Sequence, residues 1–157
     1  MSEGWFVFAM GEFEARFPED RRFAKNHMWA QPIGDDRWRL GLTAYAVRLL
    51  QDVYFLDWLA DPGQDLRARA TIGSIESKKA ESDLFAPFDG VLRSINDATL
   101  DDPSLINAEP YGEGWLLELE ASADVAEAGS LTPEDYRLYL AEAWEVAQRT
   151  IKGQVNQ

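Results

Sequence analysis

Two adjacent lysines, Lys78 and Lys79, occupy the centre of a polar segment, residues 76–83, that is flanked by apolar stretches. The stretch before it, residues 71–75, can form a strand, and residues 84–90 after it are extended and end in a turn. We therefore expect the polar segment at the exposed tip of a hairpin. An amine at such a tip is accessible to an acylating enzyme, and acylation would remove its charge and lengthen the side chain into a flexible tether. Taken alone, the same pattern fits an unmodified, solvated lysine better, since lysines at hairpin tips are common.

The sequence contains no cysteine and a single histidine, His27. The absence of cysteine excludes disulfides, zinc–thiolate sites, iron–sulfur ligation and thiolate nucleophiles. One histidine excludes a multi-histidine metal site, so no metal site is predicted. The carboxylates pair with neither histidine nor a glycine-rich phosphate loop in a recognised pattern, so we expect no catalytic residue and no stand-alone enzyme. Any sulfur or redox chemistry must therefore come from a bound group.

The chain has 157 residues with 28 acidic and 15 basic side chains, a net charge of −13. Such a surface repels phosphate backbones and anionic lipids, which disfavours binding to nucleic acid or membranes. It attracts a partner with a basic docking face in a salt-dependent way, although the charge also fits a role in solubility alone. No segment is apolar over the thickness of a bilayer, and residues 1–10 lack the basic region and cleavage site of a secretory signal. We therefore expect a cytoplasmic protein.

Short strands separated by turns are predicted over most of the chain. Their expected ranges are residues 37–42, 53–59, 67–75, 91–95 and 115–120. The last range alternates apolar and polar residues, as a half-buried strand does. Thr43 is expected to cap a brief helix over residues 44–50. Residues 5–13 predict a short strand or an arm packed on the body, before a proline at position 18 breaks the pattern.

An amphipathic helix is predicted near the carboxyl-terminal end of the chain. Thr132 is expected to cap it, with Pro133 in the first turn and two acids beside the positive end of the helix dipole. Apolar residues then recur at spacings of three and four, as on one face of a helix. They are Tyr136, Tyr139, Leu140, Ala143, Trp144 and Ala147. We expect this face to pack on the edge of a sheet rather than to bind a partner.

Many short strands and one terminal helix predict a mainly β fold, a β-sandwich or flattened barrel with a short internal helix and a C-terminal helix. No linker rich in proline, glycine or serine divides the chain, so we expect one core domain over residues 21–150. Residues 1–20 are then an N-terminal extension, and residues 151–157 a flexible tail.

The sequence around the lysine pair resembles the lipoylation motif of glycine-cleavage H-proteins. That motif reads Glu-Ser-x-Lys-Ala followed by Ser-Asp, so Lys79 matches the lysine that takes lipoate and Lys78 the variable position. The last of the flanking matches, Asn-x-x-Pro-Tyr-Gly-x-Gly-Trp-Leu, is specific, because the lipoyl domains of 2-oxoacid dehydrogenases and biotin carriers lack it. The flanking matches follow the family's order and lie at residues 26–29, 40–43, 51–56, 86–90 and 107–116.

The resemblance extends over residues 21–145 and implies a lipoyl/biotinyl-type hybrid-motif β-sandwich with lipoate bound covalently to Lys79. It implies that the hairpin is recognised for lipoylation through Glu76, Ser77, Ala80 and Asp83. It also implies that the lipoyl arm docks against Asn26, His27 and Met28.

The same resemblance implies a non-catalytic carrier subunit that shuttles an aminomethyl group on a swinging lipoyl arm between the enzymes of the glycine cleavage system. Its implied partners are a lipoate ligase or a lipoyl synthase and transferase, the glycine-cleavage enzymes, and the flavin enzyme dihydrolipoamide dehydrogenase. We expect a monomer.

Two departures from the family pattern favour a different cargo. The residue between the motif's histidine and tryptophan is usually acidic and helps to hold the amine-loaded arm, whereas here it is Met28, which cannot accept a charge-assisted hydrogen bond from an ammonium. The extension, residues 1–20, is also longer than in typical H-proteins. Both features suggest an H-like lipoate-binding protein that carries sulfur intermediates for a heterodisulfide-reductase-like complex of bacterial sulfur oxidation. A non-lipoylated scaffold that keeps the fold is a third alternative.

Overall fold

The structure, a computed structural model, describes residues 4–155, with side chains up to residue 149. The strands are β1 (Trp5–Met10), β2 (Phe13–Pro18), β3 (Arg22–Phe23), β4 (Met28–Gly34), β5 (Arg37–Leu42), β6 (Val53–Trp58), β7 (Asp65–Leu66), β8 (Thr71–Ser77), β9 (Glu81–Phe85), β10 (Gly90–Ile95) and β11 (Leu117–Glu120). The helices are α1 (Ala44–Leu50), α2 (Asp97–Asp101), α3 (Leu105–Ala108), α4 (Ala123–Ala128) and α5 (Pro133–Val155).

The strands form three antiparallel sheets. One has six strands in the order β3-β4-β5-β11-β10-β7, a second has the order β6-β8-β9, and β1 and β2 form a separate hairpin. Buried side chains from the two larger sheets meet in one hydrophobic cluster, which we call the main core. The predicted mainly β sandwich with a short internal helix and a C-terminal helix is confirmed. None of the described helices is both long enough and apolar enough to span a membrane.

Most of the predicted strands form close to their expected limits. Strand β8 begins at Thr71, later than predicted, because residues 67–70 make a turn in which Ala70 N–H donates to the Arg67 carbonyl at 3.0 Å. The strand predicted at residues 115–120 forms as β11, but the prediction that it is half-buried is wrong. Strand β11 lies between β5 and β10 and is buried on both faces, so Glu118 is buried as well. Arg39 compensates its charge with two hydrogen bonds of 2.9 and 2.8 Å.

Both predicted helix caps are present. Thr43 Oγ1 accepts a hydrogen bond from the N–H of Ala46 in α1, and Thr132 Oγ1 accepts one from Asp135 in α5. Helix α5 packs on β1 and on β3, which is an edge strand of the six-stranded sheet. Residues 156 and 157 of the predicted tail lie outside the described residues.

The N-terminal segment is a hairpin that shares a core with the rest of the chain. Strand β1 pairs with β2 from Trp5 opposite Pro18 to Met10 opposite Phe13, so the predicted single strand is half of a hairpin. Its inward side chains join a second hydrophobic cluster, the second core. This cluster consists of Phe6, Met10, Ala15, Phe17, Phe23, Trp29, Tyr45, Tyr136 and Leu140.

Strand β4 separates the two cores. Met28 points into the main core and its neighbour Trp29 into the second core, and both are buried. Gly41 of the paired strand β5 lies against the Trp29 ring, where an added Cβ would stand 2.6 Å from Cζ2. Glycine is therefore required at this position for the indole to approach the backbone of β5 this closely.

Candidate functional site

The lysine pair lies at the tip of the β8–β9 hairpin, as the sequence predicts. The two strands pair up to Glu76 and Glu81, and Lys78 and Lys79 are exposed in the turn between them. Within the described residues, neither lysine forms an ion pair. The N–H of Lys78 donates to the Asp52 carbonyl at 2.8 Å, which ties the tip to the segment between α1 and β6. The Lys79 side chain is therefore a free, accessible amine on an anchored turn.

The side chain of Ser77 completes this turn. Ser77 N–H donates to the Ala80 carbonyl at 2.9 Å, as in a two-residue hairpin loop. In place of the second backbone bond, the N–H of Ala80 donates to Ser77 Oγ at 3.2 Å, and the same hydroxyl donates back to the Ala80 carbonyl at 3.1 Å. Neither lysine has the positive φ that the usual two-residue hairpin turn requires. The buried serine thus compensates for a turn without glycine or asparagine.

Carboxylates cluster on the outer face of the sheet beneath the tip. Glu76 stands opposite Glu81, and Ser74 stands between Asp57 and Asp83. A hydrogen bond that protonated Glu76 donates to the Glu81 carboxylate raises the pKa of Glu76, and partial desolvation and the negative charge of Glu81 raise it further. Like charges placed opposite each other destabilise a sheet, so this arrangement costs stability. A shallow concavity of about 240 Å³ lies in this region and is lined by Ser74, Ile75, Glu76, Glu81, Ser82 and Asp83.

The four predicted recognition residues therefore occupy different positions on the hairpin. Glu76 and Asp83 share the outer face of the sheet, whereas the Ser77 side chain is directed inward and only 5% exposed. Ala80 is exposed in the turn itself. Only the acids and Ala80 are accessible to a modifying enzyme, while Ser77 acts on the shape of the tip.

The predicted docking residue Asn26 connects a separate turn to the base of the hairpin. Its Nδ2 donates to the Phe85 carbonyl at 3.0 Å, and its Oδ1 accepts from the N–H of Met28 at 3.1 Å. Phe85 ends the strand that begins at Glu81 beside the tip. Asn26 is thus about 13 Å along β9 from the lysine turn. Both polar groups of its amide are occupied by the fold.

His27 follows Asn26 in the chain and is half-buried among tyrosines. It has a φ of 68°, and its carbonyl accepts from Thr43 N–H at 3.0 Å. Its Nδ1 is 2.8 Å from the hydroxyl of Tyr136, and its ring centroid lies 4.5 Å from that of Tyr45 and 5.7 Å from that of Tyr139. Desolvation lowers the pKa of His27 to about 4, so the imidazole is neutral at neutral pH.

Met28 does not lie at a surface cleft. Its side chain is 1% exposed and packs in the main core. The buried Met28 side chain is therefore not available to the arm, and Asn26 and His27 remain as the predicted docking residues. The sequence does not show that Met28 is buried, because a strand covered on both faces lacks the alternation of apolar and polar residues that would distinguish buried from exposed positions.

The contact between Tyr136 and His27 does not follow from the sequence patterns. The helical spacing predicts only that Tyr136 lies on the apolar face of the terminal helix. A signal was available, since a buried tyrosine hydroxyl needs a hydrogen-bond partner, and the chain has one histidine. Sequence spacing alone does not bring the two residues together, because they are far apart in the chain.

Comparisons with known proteins agree on one family. The family model described as glycine cleavage H-protein matches residues 21–143. A probable glycine cleavage system H protein of Natronomonas pharaonis is 44% identical over 124 residues, which cover 79% of this chain and 96% of the relative. The glycine cleavage system H protein of Mycolicibacterium vanbaalenii is 38% identical over 131 residues, 82% of this chain and 99% of the relative.

A solved structure supports the same assignment. The crystal structure of a glycine cleavage system H protein from Mycobacterium marinum matches with a TM-score of 0.66 at 36% identity. The match covers 76% of this chain and 95% of the crystallised chain. The family model begins at residue 21, so the β1–β2 hairpin precedes the matched region.

Proposed function

The chain belongs to the glycine cleavage H-protein family, and on this basis we propose that it is a lipoyl carrier with its arm on Lys79. The observation that carries the proposal is the exposed, unpaired amine of Lys79 on a turn held by Ser77. An enzyme that acylates a lysine needs an amine that protrudes from a fixed backbone, and this turn provides one.

The residues present fit a covalent lipoyl group. When attached, the group would supply a disulfide that can be reduced and can carry a cargo, which the cysteine-free chain does not contain. The chain itself would present the attachment point, keep the turn rigid through Ser77, and attract basic partners through Glu76, Glu81 and Asp83. No residue of the chain has a catalytic role in this proposal, so the protein is a carrier subunit and not an enzyme.

The proposed partners follow from the family. They are a lipoate ligase or a lipoyl synthase and transferase for loading, the glycine-cleavage enzymes for exchange of an aminomethyl cargo, and dihydrolipoamide dehydrogenase for reoxidation, all in the cytoplasm. A tethered arm would raise the effective concentration of its cargo at each partner site.

Intact-mass measurement tests the attachment site. The protein is co-expressed with a lipoate ligase and fed lipoate, alongside the Lys79→Arg and Lys78→Arg variants. We expect one lipoyl addition on the unsubstituted protein and on Lys78→Arg, and none on Lys79→Arg. An unmodified protein, under conditions that fully lipoylate a control lipoyl domain, would instead favour the scaffold alternative.

A second candidate is an H-like carrier of sulfur intermediates for a heterodisulfide-reductase-like complex. The observation that favours it is the absence of a carboxylate in the Asn26–Met28 segment. Met28 is buried, and both polar groups of the Asn26 amide are bonded to the backbone. This segment therefore offers no carboxylate to an ammonium on the arm, whereas the lysine hairpin itself carries Glu76, Glu81 and Asp83.

Reconstitution distinguishes the two cargoes. The lipoylated protein is combined with the glycine decarboxylase of a standard glycine cleavage system, and glycine–bicarbonate exchange is measured. Exchange at a rate comparable to that of a lipoylated H protein supports the aminomethyl cargo. Failure of exchange, with normal reduction and reoxidation of the arm by dihydrolipoamide dehydrogenase, supports the sulfur cargo.

A further inference from the structure

Two buried hydroxyl groups and one imidazole nitrogen form a short hydrogen-bonded chain behind residues 26–28. Thr43 and Tyr136 are both 0% exposed, and their hydroxyl oxygens are 3.2 Å apart. The Tyr136 hydroxyl is also 2.8 Å from Nδ1 of His27. Thr43 Oγ1 already accepts the N–H of Ala46 as the helix cap. Within the described residues, neither hydroxyl has another hydrogen-bond acceptor.

This arrangement fixes the direction of the hydrogen bonds. Each hydroxyl has one hydrogen to donate, and a buried hydrogen without an acceptor is costly. Both hydrogens find acceptors only if Thr43 donates to Tyr136 and Tyr136 donates to Nδ1 of His27. The reverse order would leave the Thr43 hydrogen buried and unpaired. Burial also raises the pKa of Tyr136 well above its usual value, which keeps its hydroxyl protonated.

An imidazole that accepts at Nδ1 carries its hydrogen on Nε2. No described residue bonds to Nε2, and neither ring nitrogen of His27 is among the described buried atoms that lack a partner. Because His27 is partly exposed, its Nε2–H reaches the surface beside Asn26, the residue bonded to the base of the lysine hairpin.

We propose that Tyr136, supported by Thr43, holds His27 in the Nε2–H tautomer, and that this N–H donates to a hydrogen-bond acceptor on the arm of Lys79. Tyr136 is thus a positioning residue, because it acts through His27. The second half of this proposal rests on lipoylation of Lys79, whereas the tautomer does not. The separation of about 13 Å along β9 is comparable to the length of an extended lipoyl-lysine side chain.

The ring of Tyr136 is held on several sides. It stacks on Phe23 with centroids 4.6 Å apart and meets Phe17 edge-on at 5.7 Å. Phe17 belongs to the β1–β2 hairpin, which lies outside the region matched by the family model. The N-terminal hairpin of this chain therefore contributes to the position of the histidine, although it does not touch the lysine hairpin through any described hydrogen bond.

The tautomer is measurable in the unmodified protein, because His27 is the sole histidine. A two-bond ¹⁵N–¹H correlation spectrum near neutral pH should show one tautomer, with the hydrogen on Nε2. Tyr136→Phe keeps the aromatic packing and removes the donor, so it should convert the single tautomer into a mixture of two. Tyr139→Phe is the matched control, because it removes a hydroxyl from the same tyrosine cluster. That hydroxyl donates to the Lys25 carbonyl at 3.2 Å and not to His27. A hydrogen on Nδ1 in the unsubstituted protein, or an unchanged tautomer in Tyr136→Phe, would overturn the assignment.

The acceptor on the arm is identified by comparing two modifications of Lys79. Octanoyl-lysine has the amide carbonyl of lipoyl-lysine and lacks its sulfurs. A shift of the His27 Nε2–H signal with both groups assigns the carbonyl as acceptor, and a shift with the lipoyl group alone assigns sulfur. No shift with either group, in protein whose mass shows complete modification, would overturn the docking while the lipoyl carrier function stands. Absence of the added mass would instead count against the carrier function itself.

Discussion

The hydroxyl of Ser77 forms two hydrogen bonds with Ala80 across the lysine turn, one to its N–H and one to its carbonyl. These bonds take the place of the left-handed residues that usually close a two-residue hairpin. The serine next to the modified lysine is therefore a structural residue of the tip, and its contribution can be measured separately from enzyme recognition.

Ser77→Ala should lower the free energy of unfolding by about 1 kcal/mol and slow lipoylation of Lys79, because the turn loses both side-chain bonds. Urea denaturation and a time course of intact mass measure the two effects. Ser82→Ala is the control, since Ser82 lies in the same hairpin and its hydroxyl has no hydrogen bond in the described structure. Equal loss in both variants would contradict the role of Ser77.

Met28→Glu should destabilise the protein by several kcal/mol, because it places a carboxylate in the main core without a partner. Met28→Leu conserves volume and should cost less than about 1.5 kcal/mol. Urea midpoints of the two variants test this difference. A Met28→Glu variant as stable as Met28→Leu would show that this side chain reaches solvent. The acid that H-proteins usually carry at this position therefore cannot be restored by this substitution alone.

Protonation of His27 should destabilise the fold below neutral pH. Burial lowers the pKa of the folded state from 6.5 to about 4, so the unfolded chain binds this proton first as pH falls. The stabilisation that comes from keeping His27 neutral is fully present above about pH 6.5 and is lost as the pH falls towards 4. It amounts to at most about 3 kcal/mol in the free energy of unfolding. The groups packed on the ring are Tyr45, Tyr136 and Tyr139.

Unfolding free energies over this pH range measure the effect, with His27→Asn as reference because asparagine tolerates the positive φ. The difference between the two proteins should shrink as the pH is lowered. A pH-independent difference would mean that the imidazole titrates normally in the folded state.

Phe17→Ala should cost about 3–5 kcal/mol, since it opens a cavity in the second core where Phe17 contacts Phe6, Phe23 and Tyr136. Leu138→Ala is the control and should have little effect, because Leu138 lies on α5 with 67% of its surface exposed. Thermal or urea unfolding measures both variants. A small loss for Phe17→Ala would mean that the N-terminal hairpin is loosely attached.

The features predicted correctly from the sequence are those determined locally. The lysine turn is a polar segment between two apolar strands, and the caps at Thr43 and Thr132 depend on residues within one helical turn. Such features need only neighbouring residues, so a single sequence specifies them.

The features that were missed depend on contacts between distant segments. Glu118 alternates with leucines as a surface residue would, but the strands on either side and Arg39 enclose it. Met28 stands in the position of an arm-docking acid, but the strand that carries it is covered on both faces. The pairing of Tyr136 with His27 depends on where α5 crosses β3, which no local pattern encodes.

Three consecutive residues where the chain enters β4 belong to three environments, with the partly exposed His27 just before the strand, Met28 in the main core and Trp29 in the second core. We therefore expect substitutions in this segment to be epistatic. A change at Met28 or Trp29 that alters the docking face also perturbs a packed core, so it should need compensating changes in residues that never meet the cargo. Specificity in this protein should therefore diverge through compensated sets of substitutions, in which the stabilising members come first.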